Sequence, residues 1–144
     1  MGIYCVPLRG DIAHGQFAVN FDLNLFSGPA LLDAYDLGES SQWLGISLDE
    51  KVAEAIARLP VATSPRGKAT VVKWEVPCKG GKMENRSVVN WPESHRHNYT
   101  GSFPLPVETF YLPFSDLFGP FDHLETPVSA KYKSTVAFFN AHFE

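Results

Sequence analysis

The chain lacks a basic face. Its 144 residues hold 12 Lys and Arg against 16 Asp and Glu, a formal charge of −4. No Lys/Arg cluster is longer than a few residues. Nucleic acid and anionic membranes select basic surfaces, so neither is an expected partner. No apolar stretch is long enough to span a bilayer. The opening "MGIYCVPLRGD" has no charged leader before an apolar run, and Val6 stands where a myristoylation pattern needs Ser or Thr. A cytoplasmic location is therefore expected. Cysteine is scarce: Cys5 and Cys78 alone. Two free thiols in a reducing compartment is the simple account, with a pairing left open because sequence does not give their separation. Also absent are C-x-x-C, H-E-x-x-H, G-x-S-x-G, a P-loop and the Rossmann glycine pattern. No catalytic residue, metal ligand or cofactor is assigned.

What is present describes a globular chain. Hydrophobic residues make up 44% and charged residues 19%, enough to bury a core within one domain over residues 1–144. The stretch Arg9-Gly10-Asp11-Ile12-Ala13-His14-Gly15 opens with an integrin-type tripeptide. It follows the apolar, β-leaning run Ile3 to Leu8, so it is taken as a strand interrupted by glycines. The sequons at Asn85 and Asn98 need the secretory route and are set aside with it.

Residues 3–20 suggest extended structure with a turn at His14-Gly15-Gln16. Ser27-Gly28-Pro29 signals a helix start, and Gly38 a stop. Trp43 to Ile46 suggests a short strand. Ser47-Leu48-Asp49-Glu50 has the form of a capping box for a helix ending near Arg58, before Pro60. Val72, Trp74 and Val76 alternate along a strand from Lys68 to Val76. A turn at Lys79-Gly80-Gly81-Lys82 leads to a second strand, Arg86 to Trp91. Residues 92–120 hold five prolines and many aromatics, taken as an irregular crossing with no element assigned at Leu105–Phe114. A last helix from Thr126-Pro127 carries the stripe Val128, Tyr132, Val136, Phe139 and Phe143. The fold class expected is α+β, with a mainly antiparallel sheet and helices largely on one face.

The sequence Arg9-Gly10-Asp11-Ile12-Ala13-His14-Gly15, the helix Gly28 to Leu37 and the strand end Gly45-Ile46-Ser47 occur in a family order. Together they resemble the second half of a class III nucleotidyl cyclase catalytic domain, over about residues 3–58. The Val76-Pro77-Cys78-Lys79-Gly80-Gly81 and Asn90-Trp91-Pro92 stretches are similar to the tails of uncharacterised bacterial cyclase-like proteins. The resemblance implies a ferredoxin-like or cyclase-like half domain, with the hairpin and the aromatic, proline-rich tail over 68–144. The family's metal-binding aspartates lie on earlier strands and have no counterpart in these residues. Its Asn and Arg on the Gly-started helix match Leu32 and Asp36 here. Leu donates no hydrogen bond and Asp repels a triphosphate, so cyclase chemistry is not expected. Without the earlier strands a sheet edge and a face stay open, and a homodimer is the expected cover.

The ligand-binding candidates are Asp11, His14, His95, His97, Trp74 and Trp91. His95 and His97 would share a face on a strand, with His14 and His123 as further donors. No ligand spacing supports a metal there, and a polar surface loop is the plainer account. Asp33 and Asp36 are taken as the solvated side of a helix. Cys5 lies in an apolar run that makes it inert, whereas Cys78 beside Lys79 is the more reactive thiol. The leading function is a non-catalytic binding or assembly module, with an aromatic-lined pocket for a small molecule. The alternatives are an enzyme built on Asp11, His14, His95 and His97, and a subunit that completes a partner.

Overall fold

The computed structural model describes residues 7–96 and 99–143. The fold is α+β. Its main sheet has the strand order β1 (Gly10–Ile12), β4 (Ile46–Leu48), β6 (Met83–Val89), β5 (Val71–Pro77). β1 runs parallel to β4, and the other two pairings are antiparallel. A separate hairpin joins β2 (Ala18–Asn20) to β3 (Leu25–Ser27). The helices are α1 (Pro29–Ser40), α2 (Glu50–Ala57), α3 (Trp91–His95), α4 (Val107–Tyr111), α5 (Ser115–Phe118) and α6 (Thr126–His142).

The β5–β6 hairpin follows its alternation. Val72, Trp74 and Val76 pack on one face, and Val88 stands on the same face opposite Val72. Phe138 of α6 closes that face with Trp43, at ring distances of 5.1 Å to Trp43 and 5.3 Å to Trp74. Lys73 and Ser87 point the other way, where Glu50 of α2 binds both, at 2.6 and 3.1 Å. α1 and α6 therefore share one face and α2 takes the opposite one.

Four expectations need correction. The short strand lies at Ile46–Leu48, not Trp43–Ile46, because Trp43 is buried against Phe138. Ser47 does not cap α2. It sits in β4 opposite Asp11 and Val88, and Asp49 caps instead, accepting from Val52 N at 2.8 Å. Burial pushes Asp49 upward, but the N–H groups of His14 and Val52 outweigh it and hold the carboxyl low. α1 runs through Gly38 to Ser40, because Arg86 donates to Leu37 O at 3.0 Å and supplies the stop from outside the helix. The Leu105–Phe114 stretch is helical, with α4 followed by a 3-10 turn at Leu112–Phe114.

Two glycines fit close approaches around α1. Gly28 has φ +140°, and a side chain there would run into the Gln16 backbone on which the helix start rests. A Cβ at Gly38 would sit 2.5 Å from Asp11 Oδ2.

α6 buries Tyr132, Val136 and Phe139 as expected, but Val128 is exposed. Thr135 and Phe138, outside the expected stripe, are fully buried. The reason is that α6 is covered on two flanks. The sheet lies on one, and Phe110, Tyr111, Phe114 and Phe121 gather around Tyr132 on the other.

Candidate functional site

Five of the six candidate residues divide among three places. Asp11 and His14 follow one another on and just after β1, in a shallow cavity of about 350 Å³ floored by Phe17, Ala30, Leu31 and Ala34. Trp74 packs in the main core, between Phe138 and His142. Trp91 and His95 line an aromatic cavity of about 390 Å³ with Tyr99, Phe110, Phe114 and Phe139. His97 lies outside the described residues. His95 ends helix α3 and not a strand, so the shared strand face expected for the two histidines has no basis. Among the described residues no three His, Cys, Asp or Glu side chains gather closely enough to hold a metal ion.

Among the described candidates, Asp11 has the environment that most disturbs its own titration. Burial pushes its carboxyl up to about 6, although the Arg86 and Arg9 guanidiniums and the nearby Ser47 hydroxyl pull the other way. Asp11 Oδ1 and Ser47 Oγ face each other across the β1–β4 register, yet neither has a hydrogen-bond partner. The pair falls short of hydrogen-bond geometry, so burial decides the balance. The two arginines are already engaged. Arg9 donates to Ser41 O at 2.7 Å and pairs with Glu39 at 3.1 Å. Arg86, 8% exposed, donates to Leu37 O, Ser40 Oγ, Ser41 Oγ and Glu84. These bonds use the whole guanidinium fork, so Arg86 ties β6 to the end of α1 and does not present a free cation. His14 is exposed, with its backbone N–H on Asp49 Oδ2 at 3.0 Å. A carboxyl and an exposed imidazole beside an apolar floor do not make a convergent acid–base site.

Cys78 is buried, and burial pushes its thiol pKa up, which corrects its expected reactivity. Cys5 lies outside the described residues.

The larger feature of this end is its surface. Phe21 is 79% exposed, and Leu8, Phe17, Leu23, Leu25, Phe26, Leu31, Leu32 and Tyr35 are exposed as well. All six residues of the β2–β3 hairpin are exposed, and α1 has no buried residue. Charge on this segment is one-sided: Asp11, Asp22, Asp33, Asp36 and Glu39 against Arg9 alone. Five acids minus one base accounts for the −4 of the whole chain, leaving eleven of each sign elsewhere. The face is thus apolar, on a segment in which acids outnumber bases. Monomeric proteins rarely keep so much contiguous apolar surface in water. Sequence reasoning expected an open sheet edge and face, and did not assign one to this hairpin. It missed the hairpin half Leu25–Ser27, whose alternation is only three residues long.

Among the described residues no helix is long and apolar enough to cross a membrane. No protein-family model, curated protein or solved structure matches the chain.

Proposed function

We propose that the chain is a non-catalytic binding or assembly module, a cyclase-like half domain that docks through the β2–β3 hairpin and α1, with a second copy as its partner. The observation that carries this is the apolar face of residues 8–35, where hairpin and helix lie on the surface with no layer over them among the described residues. With its inner side on β1 and its end tied to Arg86 of β6, α1 leaves its outer leucines and Tyr35 to water, and burying them is favourable by about 25 cal/mol per Å² of apolar surface. The scatter of Asp11, His14, Trp74, Trp91 and His95 over three places supports binding over catalysis.

A second occupant has its own support. β1 pairs on one side only among the described residues, so a partner could add strands beside it. Light scattering with native mass spectrometry at micromolar concentration tests the choice. A dimer carrying no extra mass supports self-association. A monomer under all conditions removes that occupant and leaves the completing partner.

A further inference from the structure

Helix α3 separates two cavities. Trp91 and His95, four apart, face the aromatic one. Asn90, Glu93 and Ser94 face the other, a cavity of about 400 Å³ closed by the loop from Val61 to Thr70 and the end of β6. Asn90 and Glu93 are 6% and 7% exposed. Asn90 Nδ2 donates to Ala69 O at 2.9 Å, which fixes the amide, because a flip would set its oxygen against that carbonyl. Asn90 Oδ1 is then buried without a donor. Glu93 Oε1 accepts from Ser64 Oγ at 2.8 Å. Glu93 Oε2 is buried with no hydrogen bond, and its nearest cation, Arg66, stands off at 3.6 Å. Buried acceptors without donors are uncommon, and here two belong to residues that line one cavity. Val61, Pro65 and Val89 make the rest of its wall largely apolar.

We propose that this cavity binds a small molecule with an amidinium or guanidinium head and an apolar body. Such a head is planar, positively charged and offers several N–H donors. Those donors answer Asn90 Oδ1 and Glu93 Oε2, and the body lies on Val61, Pro65 and Val89. No neutral amide brings the charge, and no anion brings the donors. Arg66, whose side chain is 33% exposed on the loop, now holds the place of that charge loosely. It yields the place when the ligand enters, so Arg66 competes with the ligand.

The test is a titration of the full chain with benzamidine, followed by amide NMR, with benzamide and benzoate as controls. Benzamidine should shift the Ser64, Asn90 and Ser94 amides and saturate in the millimolar range or below. Benzamide should bind about tenfold more weakly and benzoate not at all. Glu93→Gln should weaken benzamidine about tenfold, whereas Arg66→Ala should tighten it several-fold. The Arg66 variant alters only a loop side chain and stays informative if Glu93→Gln fails to fold. Equal binding of benzamide, weaker binding by Arg66→Ala, shifts confined to Trp91 and Tyr99, or no saturable shift at all would each overturn the proposal.

Discussion

The two ends of this chain use apolar residues in opposite ways. From Val71 onward a core forms: Val76, Val88, Phe138 and Phe139 are almost wholly buried, and aromatic rings surround Tyr132, although Met83, Leu112 and Phe118 stay exposed. From Leu8 to Tyr35 the apolar residues turn outward, on a hairpin with no buried residue and a helix with none. Composition does not explain the difference, since both ends are rich in Leu and Phe. The number of layers does. The β5–β6 hairpin has α6 on one face and α2 on the other, whereas α1 has the sheet at β1 beneath it and, among the described residues, no buried residue of its own. A domain core needs two packed layers around it. The first end supplies only one of them.

The largest test of this contrast lies in the core. Phe138→Ala removes a fully buried ring that touches Trp43, Trp74 and Trp91. A loss of about 3–5 kcal/mol is expected, read by urea or thermal denaturation. Phe21→Ser, at the opposite end, should change monomer stability by no more than about 0.5 kcal/mol. Equal losses from the two would mean that the hairpin is part of the same core.

Arg86 is the tie between the ends, and its loss comes next. Arg86→Ala takes a charged donor from Leu37 O and from the Ser40 and Ser41 hydroxyls, which keep only their own bonds to Leu37 O, and leaves Glu84 without its 2.6 Å pair. A cost of about 2–4 kcal/mol is expected, because several partners lose a charged donor together. The cost should fall unevenly. Hydrogen exchange should quicken in α1 while β5 and β6 stay protected. Uniform acceleration would show that α1 and the sheet open as one unit.

These contrasts also show what the sequence made legible. The Gly28-Pro29 start, the Gly80-Gly81 turn and the alternation of Val72, Trp74 and Val76 are local signals, and the chain obeys each. Failures came where a distant contact overrode a local rule. The pattern Ser-x-x-Glu at Ser47 favours a capping box, but pairing with Asp11 and Val88 takes Ser47 into β4 and leaves the cap to Asp49. Gly38 resembles a helix stop, but an arginine 48 residues further on holds the helix open past it to Ser40. The α6 stripe was drawn for one covered flank, so Thr135 and Phe138 escaped it. At the candidate site, Asp11 and His14 were visible as polar residues inside a β-leaning run. Asn90 and Glu93 were not, because nothing in "VVNWPES" tells that both are buried under the Val61–Thr70 loop.

Association is the next smaller effect, and its sign under salt is informative. Leu25→Lys with Leu32→Lys should dissociate a dimer by at least about tenfold without lowering the melting temperature of the monomer, because both side chains are exposed. If two such acid-rich segments meet in that dimer, salt should strengthen it by screening repulsion. If the face instead takes a basic partner, salt should weaken the complex. Sedimentation velocity at low and high salt separates these cases.

The smallest effect isolates Asp11. Its folded pKa is raised from an ordinary 3.8 to about 6, chiefly by burial, so the native state holds the proton more tightly than the unfolded chain does. The group therefore favours the fold below about pH 4 and loses that benefit as pH rises to about 6. Above that, the ionised carboxylate burdens the native state. Asp11→Asn keeps the shape and removes the titration. It should raise the melting temperature by a few degrees at pH 7 and change little at pH 4. The difference between the two proteins should grow across pH 4 to 6. A constant difference over that range would mean that Asp11 is hydrated at the β1 edge, and that the first end is looser there than the close approach of Gly38 implies.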